Sequence, residues 1–266
     1  PNQVGESMEF KVIVVNTRFG ALVTPPRPTW VNRPSRLTYL SISGDLVEPL
    51  IFLPNEPVRP SEEYLVQALV WEPTEDQLRT AGTDYPEWVT KSYLQLPTDL
   101  APAVIMLAHD ITMDADTPYD KAKAVTAYLR ENITYTTHME TPPDGRRLLT
   151  WFLFDYKQGF CNYYATAEVI LLRAAGVPAR MTVGFSEGKF EMPGWYTVRQ
   201  QNAHAWPEVY FPGYGWIPFE PTPARAAPSP SPPTARPTAT TTASRTSRSA
   251  RSSTPRGSGA ASASPT

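Results

Sequence analysis

The segment from residue 161 to residue 175, CNYYATAEVILLRAA, constrains the fold of this chain more than any other. Its apolar residues fall on nearly every face of a helix, and a helix without a polar face is stable only inside a protein. Four polar residues interrupt the run: Asn162, Thr166, Glu168 and Arg173. Gly176 and then Pro178 follow, as a left-handed cap and a residue that cannot continue a helix. The sequence therefore predicts a buried helix at the centre of its domain.

Cys161, the first residue of this run, is the single cysteine of the 266-residue chain. A lone thiol excludes an intramolecular disulfide and a cysteine-rich zinc site. Gly159 would let the backbone turn tightly just before it, which places the thiol at the predicted helix N-terminus. There the helix dipole favours the thiolate and makes a nucleophile. A small buried apolar residue is the other common role of a single cysteine, and only a nearby base would favour the nucleophile.

The chain has three histidines in different surroundings. His109 lies in a predicted helix and His138 in a polar loop, which favour structural or solvated roles. His204 lies on the first strand of a predicted hairpin, AHAWPEVYFPGYGWIPFEP, and Glu220 lies on the returning strand. Neighbouring strands can hold a base beside an orienting carboxylate. With position 211 opposite 216, however, the two side chains would point to opposite faces unless a bulge near Pro207 intervened.

Composition divides the chain into three regions. Residues 1–73 contain short β-rich runs separated by proline and glycine, which is typical of a small antiparallel sheet or sandwich. Residues 74–223 show helical periodicity and then carry the cysteine and histidine motifs. Residues 224–266 contain only Pro, Ser, Thr, Ala, Gly and Arg, which cannot bury enough apolar surface to fold. We predict a disordered tail or linker there.

Charge and hydropathy exclude some classes of partner. The tail holds six arginines, which leaves 18 basic against 26 acidic residues in the remainder. An acidic body lacks the positive surface that nucleic acids require, so no nucleic-acid partner is predicted. No stretch approaches the roughly 20 apolar residues of a membrane helix, and the first residues lack an initiator methionine and a signal-peptide core. We therefore expect a soluble fragment of a longer protein.

The order of a cysteine, a buried helix, a histidine-bearing strand and an acid-bearing strand resembles the transglutaminase-like domain of the papain-like cysteine enzymes. The likeness is carried by GFCNYYATAEVILLRAAGVPAR, by AHAWPEVYFPGYGWIPFEPTP, and by the approach from YPEWVTKSYLQLP to YDKAKAVTAYLRENITYT. It is greatest to the bacterial membrane-anchored members of the TgpA type, and it covers residues 74–223. The resemblance implies an α+β fold, in which a central helix bearing the cysteine packs on an antiparallel β-sheet.

The resemblance also implies roles for individual residues. Cys161 would be the nucleophile, His204 the general base and acid, and Glu220 the group that orients the imidazole, although the family more often has aspartate there. The backbone N–H of Cys161 would be one donor of an oxyanion hole. Gln158 is a candidate for the second donor.

The implied reaction is acyl transfer from a glutamine side chain of a protein or peptide. An amine acceptor would give a crosslink, and water would give deamidation. Trp206 and Tyr163 are candidates for lining the substrate groove, and no metal or other cofactor is implied. The family's setting implies the extracytoplasmic face of a bacterial cell membrane, reached through segments outside this sequence. Two alternatives remain: a cysteine peptidase or amidase acting on peptide or cell-wall amide bonds, and a non-catalytic module that binds polypeptides.

Overall fold

The computed structural model describes residues 5–16, 20–42 and 45–223. The tail predicted at residues 224–266 lies outside the described residues. Within the described ranges, no helix is both long enough and apolar enough to cross a bilayer.

The N-terminal part is built of strands, as the β-rich runs predicted. The strands are β1 (Glu6–Ile13), β2 (Pro28–Val31), β3 (Ser35–Ile42), β4 (Asp45–Pro54) and β5 (Glu63–Val70). A three-stranded antiparallel sheet has the order β1-β5-β2, and β3 pairs with β4 as a hairpin. Alternate residues of β5 are buried: Tyr64, Val66 and Ala68. This period of two gives the sheet one face on a small core.

Helices dominate the chain from residue 75 to residue 174. They are α1 (Glu75–Arg79), α2 (Glu87–Tyr93), α3 (Pro102–Thr112), α4 (Pro118–Asn132), the short α5 (Leu148–Thr150) and α6 (Cys161–Ala174). A π-helical segment, Trp151–Tyr156, continues α5. Thr117 caps the start of α4, because its side chain accepts a hydrogen bond from the N–H of Asp120.

Helix α6 is the buried central helix that the sequence predicted. Seven of its residues are buried: Tyr164, Ala165, Ala167, Glu168, Val169, Leu171 and Leu172. It ends at Ala174, and Gly176 follows with a φ of 77°, the left-handed conformation expected of a glycine cap. The helix packs on two antiparallel strands that follow it in the chain, β8 (Ala179–Phe185) and β11 (Ala203–Phe211).

The remaining strands complete the α+β fold. They are β6 (Thr134–Tyr135), β7 (Gln158–Gly159), β8 (Ala179–Phe185), β9 (Lys189–Met192), β10 (Trp195–Thr197), β11 (Ala203–Phe211) and β12 (Gly215–Pro218). The sheet under α6 has the order β12-β11-β8, and the short β6 and β7 pair in parallel. The predicted hairpin register is wrong: Phe211 lies opposite Gly215 rather than residue 216.

Candidate active site

Cys161 lies at the N-terminus of α6, directly after the short strand β7 and the extended residue Phe160. Gly159 is required there for a different reason than the predicted tight turn, since it lies in β7 without a positive φ. A Cβ at Gly159 would lie 2.8 Å from Cε2 of Phe152 and 3.1 Å from Cβ of Tyr163. The glycine thus lets β7 pass close to the buried Phe152 ring, and that approach fixes where α6 begins.

His204 and Glu220 form a buried pair. Nε2 of His204 lies 2.5 Å from Oε2 of Glu220, and the side chains are 5% and 3% exposed. The other oxygen, Oε1, accepts a hydrogen bond of 2.8 Å from the N–H of Thr222. Arg130 of α4 donates to the carbonyl oxygens of Glu220 and Thr222 at 3.0 and 3.1 Å. The Glu220 side chain therefore reaches the imidazole, and Arg130 of α4 holds the backbone at Glu220 in place.

The observed hairpin register explains how the two side chains meet. Glu208 lies opposite Pro218 in β12, and the N–H of Phe219 donates to the carbonyl of Pro207 at 2.9 Å. Continued past the end of β12, this register puts Glu220 on the same side as His204. A bulge at Pro207 is therefore not needed, and the pairing of β11 with β8 and β12 has none.

The thiol of Cys161 completes the arrangement. Burial alone would raise its pKa, but hydrogen bonds from His204 and from the backbone N–H of Ala205, with the His204 charge, lower the pKa below its usual range. For His204, burial lowers the pKa, but hydrogen bonds to Cys161 and Glu220 outweigh it and raise the pKa to about 9. Since Nε2 is bonded to Glu220, Nδ1 is the ring nitrogen left for the thiol. These opposite pKa shifts favour a thiolate–imidazolium pair.

The other predicted site residues lie around this centre in different ways. The ring of Trp206 is 6.0 Å from that of His204, at an interplanar angle of 24°, and a Cβ at Gly184 would touch it at 2.9 Å. The half-buried Tyr163 packs edge-on against Phe160, with centroids 5.0 Å apart, so its contacts are those of a packing residue.

Gln158 lies in β7 and is half-buried rather than in an exposed loop. Its side chain has no hydrogen-bond partner within the described part of the chain. The backbone N–H of Cys161 is the first of α6, where no preceding turn supplies an acceptor. Both groups thus remain candidates for an oxyanion hole.

The two other histidines lie apart from this centre. His109 is on α3 with its side chain 80% exposed, and His138 is exposed after β6. Neither one has a buried partner in the described residues, as the sequence predicted.

Glu168 belongs to the surroundings of the site, although the sequence predicted no role for it. It lies in α6 at 0% exposure, and Thr126 of α4 donates to its Oε1 at 2.8 Å. Burial raises its pKa, the Thr126 hydrogen bond lowers it and the nearby charge of Glu220 raises it, and together they bring the pKa to about 8. Its Oε2 is buried without a partner among the described residues. A glutamate seven residues after the cysteine, in a helix that is apolar on nearly every face, was the signal in the sequence.

No group of three or more His, Cys, Asp and Glu side chains in the described ranges is arranged to hold a metal ion.

Comparison with known proteins finds a family model and relatives that match this part of the chain. The model of the transglutaminase-like superfamily matches residues 105–221. The uncharacterized protein YebA of Bacillus subtilis is 44% identical over 137 residues, which is 49% of this chain and 19% of that protein. The protein-glutamine gamma-glutamyltransferase of Pseudomonas aeruginosa is 37% identical over 131 residues, which is 48% of this chain and 19% of that protein. The matched segments thus span about a fifth of these relatives.

A solved structure shows the same fold over a longer stretch. The crystal structure of the periplasmic domain of TgpA from Pseudomonas aeruginosa superposes with a TM-score of 0.60 at 26% identity. The alignment covers 82% of this chain and 70% of that one. The α+β fold predicted from the sequence is confirmed, and residues 105–221 match the family model of the transglutaminase-like superfamily.

Proposed function

We propose that the domain is a cysteine acyltransferase that uses Cys161 as nucleophile, His204 as general base and acid, and Glu220 as the group that orients the imidazole. The observation that carries the proposal is the buried hydrogen bond between His204 and Glu220, together with the interaction with His204 that lowers the pKa of Cys161. A relative named protein-glutamine gamma-glutamyltransferase supports a glutamine side chain as the acyl donor.

The first half of the reaction forms a thioester. The Cys161 thiolate attacks the carboxamide carbon of glutamine, and a C–S bond forms as the carbonyl becomes an oxyanion. The N–H of Cys161 and the amide of Gln158 would donate to that oxyanion. When the C–N bond breaks, the proton on His204 goes to the nitrogen, and ammonia leaves.

The second half consumes the thioester. Neutral His204 accepts a proton from an incoming primary amine or water as that nucleophile attacks the thioester carbon. The C–S bond breaks and the Cys161 thiolate is restored beside the imidazolium. An amine gives an isopeptide bond, and water gives glutamate. Trp206, stacked beside His204, would form one wall of the groove through which these groups enter.

The place of action is part of the same proposal. One similar structure is a periplasmic domain, so we propose that this domain also works outside the cytoplasm, in association with a membrane. Protein or peptide glutamines and amines at that surface would then be the substrates.

The test uses β-casein as glutamine donor, with and without a biotinylated primary amine. We expect ammonia release in both cases and covalent biotin on the casein only with the amine. Cys161→Ala should abolish both signals, because no other thiol exists in the chain. Cleaved casein without ammonia release would favour a peptidase instead. Binding of casein with neither product would favour a polypeptide-binding module.

A further inference from the structure

We infer that Glu168 is a positioning residue for this site: an uncharged carboxylic acid that holds the Glu220 carboxylate in line with His204. The inference rests on the proposed function, because it assigns a supporting group to the same Cys161, His204 and Glu220. It rests on where α4 and α6 place these side chains.

Helix α6 puts Cys161 and Glu168 on one face. Seven residues are nearly two helical turns, so the two positions lie one above the other, about 10 Å apart along the axis. Between them, Tyr164 and Ala165 are fully buried and fill the space. Glu168 thus lies under the cysteine, on the side of the helix that faces the protein interior.

Helix α4 brings Glu168 and Glu220 together. Thr126 and Arg130 are one turn apart on α4 and therefore point in the same direction. Thr126 donates to the side chain of Glu168 at 2.8 Å, and Arg130 donates to the backbone carbonyl of Glu220 at 3.0 Å. One turn of α4 thus holds both carboxyl-bearing residues, one by its side chain and the other by its backbone.

The surroundings of Glu168 require the uncharged form. It is completely buried, and the Glu220 carboxylate is near enough to raise its pKa. Arg130 lies one turn along α4 from Thr126, which donates to Glu168, and His204 is bonded to Glu220. Two hydrogen bonds of Arg130 go to the backbone carbonyl oxygens of residues 220 and 222. Burial and the negative charge of Glu220 both raise the pKa of Glu168, to about 8, so it carries its proton at pH 7.

A protonated carboxyl has one O–H donor, and Glu168 has one place for it. Oε1 accepts from Thr126, whereas Oε2 is buried and has no partner in the part of the chain that the structure describes. The Glu220 carboxylate is purely an acceptor, and each of its oxygens keeps a lone pair beyond those used by His204 and Thr222. A proton on Oε2 of Glu168 can be donated to one of these free lone pairs of Glu220. A residue that only filled space here would be apolar.

The test compares Glu168→Gln with Glu168→Met by the pH dependence of Cys161 alkylation. Gln keeps an uncharged hydrogen-bond donor of the same size, so it should rescue the wild-type midpoint. Met keeps the volume but cannot donate, so the imidazolium loses a well-placed carboxylate and the midpoint should rise by about one pH unit. That shift lowers alkylation about tenfold below the midpoint. A packing role would change stability, measured by urea unfolding, without moving the midpoint.

His204→Ala in the same series separates the two claims. If His204→Ala shifts the midpoint and Glu168→Met does not, the role of Glu168 is wrong and the proposed function stands. If neither shifts it, both are wrong. A second test does not depend on the Met variant: infrared difference spectra of wild type minus Glu168→Gln at pH 7. A protonated carboxyl band in these spectra supports the inference, and carboxylate bands alone overturn it.

Discussion

His204 keeps its proton at neutral pH because Cys161 and Glu220 both bond to the charged ring. Its pKa is raised to about 9 while that of Cys161 is lowered, so thiolate and imidazolium coexist over a window that ends near pH 9. Within this window the thiolate is the reactive form, and the charged ring can protonate a leaving amine. Above about pH 9 the thiolate persists but the acid is lost.

This coupling predicts the effect of His204→Ala. The variant removes the hydrogen bond and the charge that lower the Cys161 pKa, and the burial that raises it remains. We expect the pH midpoint of iodoacetamide alkylation to rise towards or above the ordinary value of about 8.5. At pH 6.5 the rate should fall at least tenfold, and raising the pH should restore it. His138→Ala, at an exposed loop histidine, is the matched control and should follow wild type. Overlapping profiles for wild type and His204→Ala would contradict an activated pair.

At the scale of elements, the junction of β7 and α6 decides where the nucleophile stands. The Phe152 ring is 1% exposed and cannot move away from a Cβ placed 2.8 Å from it. Gly159→Ala should therefore destabilise the protein by about 1–3 kcal/mol, the usual cost of overpacking, and slow Cys161 alkylation by shifting the start of α6. Urea unfolding and the alkylation rate measure the two effects. Gly20→Ala, where a Cβ meets nothing within 4 Å, is the matched control. A Gly159→Ala protein as stable as that control would show that the close approach is not a constraint.

Much of this element structure could be read from the sequence, and the exceptions have physical reasons. The C-terminal end of α6 is a local feature, and Gly176 indicated it. The hairpin register was wrong because Gly215 was counted as part of the turn. With a φ of 78° it begins β12 opposite Phe211, leaving a three-residue loop. The role inferred for Glu168 depends on its contact with Thr126 of α4, which is distant in the chain. A local sequence pattern cannot predict such a contact.

At the scale of the whole molecule, the N-terminal strands contact the catalytic sheet through buried polar groups. Arg180 of β8 bonds to Glu208 of β11 and to Glu48 of β4, and its guanidinium lies 4.3 Å from the ring centroid of Trp216. Tyr93 of α2 donates to the same Glu48 at 2.6 Å. These contacts join three parts of the chain that are far apart in sequence. We propose that residues 1–73 are a supporting layer for the domain of residues 74–223.

If residues 1–73 are a supporting layer, removing one of its contacts should lower the stability of the protein without changing the reactivity of Cys161. Glu48→Ala leaves the Tyr93 hydroxyl without its acceptor and Arg180 with one carboxylate instead of two, and an unsatisfied buried partner costs about 1–3 kcal/mol. Urea unfolding should therefore show a lower midpoint in a single transition, because both parts lose the contact together. The midpoint of Cys161 alkylation should not move, since Glu48 lies outside the hydrogen-bond chain of the site. Glu63→Ala, which removes the exposed ion pair with Lys11, is the matched control and should leave unfolding nearly unchanged. Two separate transitions in Glu48→Ala, with the second at the wild-type midpoint, would instead mean that the N-terminal strands unfold independently and that the catalytic domain does not need them.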